Sequence, residues 1–189
     1  MARTIATKLI PALCALAVAL PIAAALYLAH HQSMQEESDA ALMMASEVLR
    51  RSMAAGDQAI SAEDRLRDQD GDPCSDAAIA RMRDIDMAST YLQMVGYVAD
   101  GRLMCSSMGR HGDGIPLGPV EYVSRLGTRV RRSVPPGLGE GKRFLVLERH
   151  HYAAAIHPEM VTDIYPVHPE LSLGIYGSRS GLLMSGRGP

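Results

Sequence analysis

The sequence predicts an α+β fold: an N-terminal transmembrane helix, a long juxtamembrane helix, then an antiparallel sheet with flanking helices. Three observations predict it. An uncharged apolar run fills residues 9–29. Helical patterning then occupies residues 34–67 and 75–88. From Tyr91 onward the chain changes to short β-rich runs divided by Gly, Pro and an Asp-Gly pair. Helices followed by strands is the element order of an α+β domain.

Leu9 to Ala29 carries no charge, and its 21 residues, at about 1.5 Å each, cover the roughly 30 Å hydrocarbon layer of a bilayer. Arg3 and Lys8 precede it, whereas Glu36, Glu37 and Asp39 follow. Positive charge stays in the cytoplasm, so residues 1–8 are expected inside and the bulk of the chain outside. Pro11 and Pro21 are tolerable in a membrane helix. The alternative is a cleaved signal peptide, with small residues at Ala23-Ala24-Ala25, but the run exceeds the ~7–15 residues of a signal core. Both readings export the rest. Cys14 reads as an inert small apolar residue.

Residues 34–67 read as one helix with Leu42, Ala45, Leu49 and Met53 on one face and Glu36, Glu47 and Arg50 opposite. That face either packs on a core or joins a second copy. Asp68 to Pro73 breaks the pattern. Ser75 then caps a second helix ending near Ala88, with Asp76 in its first turn and Ile79, Met82 and Ile85 as its apolar edge.

Tyr91 to Ala99 is a strand, and Asp100-Gly101 is a two-residue hairpin turn, because both turn positions need positive φ. The return strand, Arg102 to Ser107, carries Cys105. Residues 108–119 read as a Gly- and Pro-rich loop, residues 120–126 as a short helix or strand, and Thr128 to Val134 as a strand. Pro135 to Gly141 is a turn, Phe144 to Ile156 a hairpin bent around His150, and Leu171 to Tyr176 a last strand. Pro158 to Ile164 is a short helix with Pro158 in its first turn.

Beyond the apolar run, about 155 residues make one ordinary domain, able to bury a core without disulfides. Net charge is −2 with 21% charged residues, and no basic stripe exists of the kind nucleic-acid binders carry. The alternation of Arg129, Arg131 and Arg132 reads as the wet face of a strand. With no Trp, one Phe and 12 Met, aliphatic residues, Met and Tyr must fill the core.

Cys74 precedes a helix and Cys105 lies in a hairpin strand, so a bridge would tie the helical layer to the sheet. Closing that loop contributes roughly 3.5 kcal/mol in the chain-entropy model. In an oxidising compartment the bridged form is the default. Whether it is a permanent staple or a redox switch stays open, because a switch needs an exposed or strained bond. Ser106 and Ser107 either bond a thiolate or face solvent.

Pro73-Cys74-Ser75-Asp76, Tyr91-Leu92-Gln93-Met94-Val95-Gly96-Tyr97-Val98, Asp100-Gly101 and Cys105-Ser106-Ser107, in that order behind an anchor, resemble the CSS-motif sensor domain. That family sits in the periplasm of bacterial cyclic di-GMP phosphodiesterases, between two membrane helices and ahead of a cytoplasmic EAL domain. The resemblance covers about residues 1–180. It implies a redox sensor whose disulfide restrains the phosphodiesterase and whose free thiols release it. Cys74 and Cys105 take the family's cysteine roles, and Ser106 and Ser107 its motif serines.

The implied layout is a cytoplasmic N-terminus at 1–8, an anchor at 9–29 in the inner membrane, a periplasmic sensor at 34–180 and a tail at 181–189. The implied partners are the periplasmic disulfide-forming machinery and, in a longer form, an EAL output. A homodimer through residues 34–67 is a further option. No second apolar stretch and no Glu-Ala-Leu motif follow residue 150, so the chain is expected to be the sensor part of a longer protein or a truncated frame, without catalysis of its own.

Other chemistry falls away. Asp68, Asp70 and Asp72 open like a calcium loop, but Pro73 and Ile79 stand where Gly and Glu belong. Gly137, Gly139, Gly141 and Lys142 mimic a phosphate loop, with Arg143 replacing its Ser or Thr. Gly177 and Gly181 flank Arg179, not a nucleophilic Ser. His150, His151, His157 and His168 read as surface or pocket histidines, since neighbours on a strand face opposite ways. No cofactor is expected. The alternative function is a small-molecule sensor similar to PAS-like and Cache-like domains, with a purely structural disulfide. A third class is an exported interaction protein.

Overall fold

The computed structural model describes residues 2–132, 144–164, 172–177, 181 and 183–187, with side chains outside the description at 2–15, 173 and 183–187. The chain divides into two compact units, Met1–Met44 and Ala45–Pro189. The first consists of the leading part of helix α1 (Ala2–Arg67). Its Leu16, Val18, Leu20, Ile22, Leu26 and Leu28 are all exposed. The expected span at 9–29 falls partly on side chains outside the description. Among the described residues no helix is long and apolar enough to cross a membrane.

In the second unit α1 continues to Arg67 and is followed by α2 (Asp76–Met87), β1 (Leu92–Ala99), β2 (Arg102–Ser106), β3 (Gly109–Pro116), β4 (Tyr122–Val123), β5 (Arg129–Arg131), β6 (Leu145–Arg149), β7 (Tyr152–Ile156), α3 (Pro158–Thr162), β8 (Leu173–Tyr176) and β9 (Leu183–Arg187). Seven strands form one antiparallel sheet in the order β3-β2-β1-β7-β6-β5-β4, and β8 pairs with β9 separately. This is the expected α+β arrangement with helices packed on a sheet.

One face of the large sheet carries Leu92, Val95, Cys105, Tyr152, Ala154 and Ile156 against Ala55, Ala59, Ala62 and Leu66 of α1 and Ile79, Met82 and Ile85 of α2. The α1 residues recur every three or four positions, so they form one stripe. Three of them are alanines, which lets the helix backbone lie close to the strands. The far face packs Met94, Val98, Leu103, Val146, Ala153 and Ala155 against Leu117 and Phe144.

Several expectations are corrected. The buried stripe of α1 is not the face of Leu42, Leu49 and Met53: each of these is more than half exposed. Residues 108–119 are not a loop throughout, because β3 pairs along the free edge of β2. Positive φ at Gly109, Gly112 and Gly114 makes that edge strand irregular. Its conformation is held in part by Arg102, which donates to the carbonyls of Asp113 and Gly114.

Arg131 is not on a wet face. It is buried, donates to Glu148, and also reaches the carbonyl of Gly118. Glu148 is buried too and pairs with Arg129 as well, so the buried charges compensate each other. His150 and His151 do not sit on a strand; they are the positive-φ turn between β6 and β7. Strand β9, in the Gly- and Ser-containing end, was not expected. The turn at 135–141, the glycines and Lys142 there, and His168 lie outside the described residues.

The remaining elements match their expected places. Ser75 caps α2, its Oγ accepting from the N–H of Ala78. Asp100 and Gly101 both have positive φ between β1 and β2. Pro158 opens α3.

Candidate functional site

The site is built around β2. Antiparallel partners share a face, so the register decides where each side chain of β2 points. Val98 pairs with Leu103, and Tyr97 pairs with Cys105. Met104 therefore has no partner on β1 and is an extra residue, a β-bulge. Strict alternation would put Leu103 and Cys105 on one face. In the observed register Leu103 follows Val98 onto the far face and Cys105 follows Tyr97 onto the helix face, with Met104 taking up the extra position between them.

There Cys105, fully buried, is bonded to half-buried Cys74. The Cα atoms are 5.6 Å apart, within the ordinary span of a disulfide. The bond joins the connection between α1 and α2 to the sheet. Asp72 shapes that connection: its Oδ1 accepts from the N–H of Cys74 at 2.9 Å. Asp68, Asp70 and Asp72 belong to no metal-ligating cluster among the described residues.

In the bridged protein each serine hydroxyl has its own partner, and neither faces solvent. Ser106 is fully buried, with Oγ 2.8 Å from His111 Nε2, and it accepts from the N–H of Met108. Burial holds His111 below its ordinary pKa. Ser107 Oγ donates to the Asp86 carboxylate of α2 at 2.7 Å. Arg83, one helical turn before Asp86, donates from Nε to the carbonyl of Ser107 at 3.2 Å. The N–H of Ser107 in turn donates to the carbonyl of Val95 on β1 at 2.8 Å.

Cys105 thus fixes the chain ahead of α2, and Ser107 fixes α2 itself. Asp86 and Arg83 were missed in the sequence. Their signal was a charged pair at i, i+3 beside the apolar edge of α2, a spacing that puts both on one side of the helix.

Gly96 is the other missed residue. It pairs with Ser106 across β1 and β2. A Cβ there would stand 2.5 Å from Leu103 Cδ1 and 2.6 Å from the Cys105 carbonyl oxygen. Only glycine lets β1 lie against the bulged strand. The Asp100–Gly101 turn closes the same hairpin, so it sets the register without touching the disulfide.

A buried bridge, a bulged strand bearing Cys-Ser-Ser and a capped helix held on it are the elements that relatives can be compared with. The profile of the CSS motif domain associated with EAL matches residues 37–189. The chain belongs to the CSS-motif domain family. The probable cyclic di-GMP phosphodiesterase PdeB of Escherichia coli (strain K12) is 28% identical over 154 residues, 80% of this chain and 29% of that protein. The chain spans less than a third of that relative's length. No solved structure matches this CSS-motif domain.

Proposed function

We propose that the chain is the periplasmic sensory part of an inner-membrane protein, anchored through residues 9–29, in which the Cys74–Cys105 disulfide regulates EAL-type cyclic di-GMP phosphodiesterase output. In this layout residues 34–180 are the sensor, residues 181–189 a tail, and residues 1–8 cytoplasmic. The output would be carried by a longer form of the protein. The observation that carries the reading is the bond itself, which ties the α1–α2 connection to β2 at the family's motif residues. Oxidation is the work of the compartment's disulfide-forming machinery. Reduction by a dithiol passes two electrons and two protons to the bond, leaving two thiols here and a disulfide on the donor.

Opening the bond frees the connection while Asp86 and Arg83 keep α2 on Ser107. The released connection then lets α1 change its placement on the sheet or its pairing with a second copy. Exposed Leu49 and Met53 on α1 support such pairing. The test is phosphodiesterase activity of the full-length protein in membranes, comparing wild type with C74A and C105A, with and without dithiol. Both variants should match reduced wild type and ignore reductant. Equal output in all states would refute the proposal.

The full burial of Cys105 favours a second reading, a small-molecule sensor with a structural bridge. A bridge that resists every reductant short of denaturation would select it.

A further inference from the structure

Glu63 takes no part in the motif, yet it is the most unusual side chain on the helix face. It is fully buried within the stripe of Ala59, Ala62 and Leu66, and neither of its carboxylate oxygens has a hydrogen-bond partner. The charges that act on it come from α1 and from the sheet. Its neighbour Asp64 adds a negative charge, and from β6 Arg149 adds a positive one and Glu148 a second negative. Arg149 lies 3.5 Å from Asp64, and Glu148 is committed to Arg131 and Arg129.

Strand β7 brings only Tyr152 and apolar residues. On α2, Asp76, Arg81, Arg83 and Asp84 are exposed, and Asp86 accepts from Ser107. Among the described residues, one shared guanidinium is thus the only cation that faces both Glu63 and Asp64.

We infer that Glu63 is a proton-operated latch: protonated, it lets α1 dock on the sheet, and ionised, it drives that stretch of α1 off. An isolated carboxylate cannot stay in such a place, so it either binds a proton or leaves. Burial pushes its pKa up to about 8 from the ordinary 4.5. The docked state therefore holds a proton that the released state gives up. Docking is favoured at low pH, weakens as pH rises between these values, and levels off above the higher one. The weakening is up to about tenfold per pH unit. This device is independent of the disulfide, and acts on the same helix.

The test is hydrogen–deuterium exchange across residues 55–67 of the full chain in mild detergent, corrected for the intrinsic pH dependence of exchange. Wild type should lose protection by up to about tenfold per unit from about pH 5 to about pH 8. E63Q should stay nearly flat over that window. His111, held low by burial, shifts stability the opposite way and is common to both proteins. A decline in E63Q parallel to wild type would overturn the inference. If E63Q fails to fold, difference infrared spectroscopy of wild type decides. A protonated-carboxyl band at neutral pH that bleaches as pH is raised further supports the latch, and no such band overturns it.

Discussion

Opening the Cys74–Cys105 bond should cost the domain global stability but unfasten only a short segment. The bonded residues are 31 positions apart, and the chain-entropy model assigns a loop of that size about 3.5 kcal/mol. For a domain of this length each kcal/mol is worth about 2–4 °C, so reduction should lower Tm by about 7–14 °C. Scanning calorimetry with and without a non-thiol reductant reads this directly, and C74A should reproduce it. C105S is a poorer mimic, because it leaves a hydroxyl at a fully buried apolar position.

The local consequence is sharper. Ser107 holds α2 through Asp86 and Arg83 without the sulfur. In the reduced protein, amides 68–75 should therefore exchange quickly while amides 79–87 remain protected. A Tm change below about 2 °C would refute the assigned role of the loop. Equally fast exchange in both segments would refute the second attachment.

Two further outcomes follow from the same geometry. Ser107→Ala removes a hydrogen bond to a carboxylate and should cost about 1–3 kcal/mol in urea unfolding. A double-mutant cycle with Asp86→Ala, which leaves no acceptor, should show the two changes to be non-additive, and simple additivity would mean the bond contributes nothing. Gly96→Ala forces a methyl group against Leu103 and the Cys105 carbonyl. It should cost about 1–3 kcal/mol in thermal melts, and a neutral effect would show that β1 and β2 can separate freely.

The sequence made some of this fold legible and hid the rest for definable reasons. The Asp100–Gly101 turn and the Ser75 cap were readable because each rests on a local backbone requirement that few residues meet. The histidine turn was visible only as a break between β runs, since nothing about two histidines announces positive φ. Of the two roles open to the face of Leu49 and Met53, core packing falls because alanines form the buried stripe instead. Leu49 and Met53 have the right spacing, but Ala55, Ala59 and Ala62 are what fits closely against a sheet. Arg131 was misread because alternation shows which face a residue shares, not whether that face is wet. Its partner Glu148 is 17 positions away on another strand, beyond the reach of any local pattern.

The bulge at Met104 explains why the motif could be recognised as letters but not as geometry. Read by alternation, Leu103 and Cys105 share a face, and the cysteine would point away from the helices. The observed register places them on opposite faces because Met104 is unpaired with β1. This gives a counterintuitive prediction. Deleting Met104 leaves Val98 opposite Leu103 and Tyr97 opposite Cys105, with regular alternation between them. Cys105 should therefore still meet Cys74, and thiol counting by mass should find the bridge at the wild-type yield. The loss should fall on the outer side of β2, where Met104 lies against Gly114 of β3. Both thiols free in the deletion variant would mean that the bulge, and not the pairing of Cys105 with Tyr97 on β1, aims the cysteine.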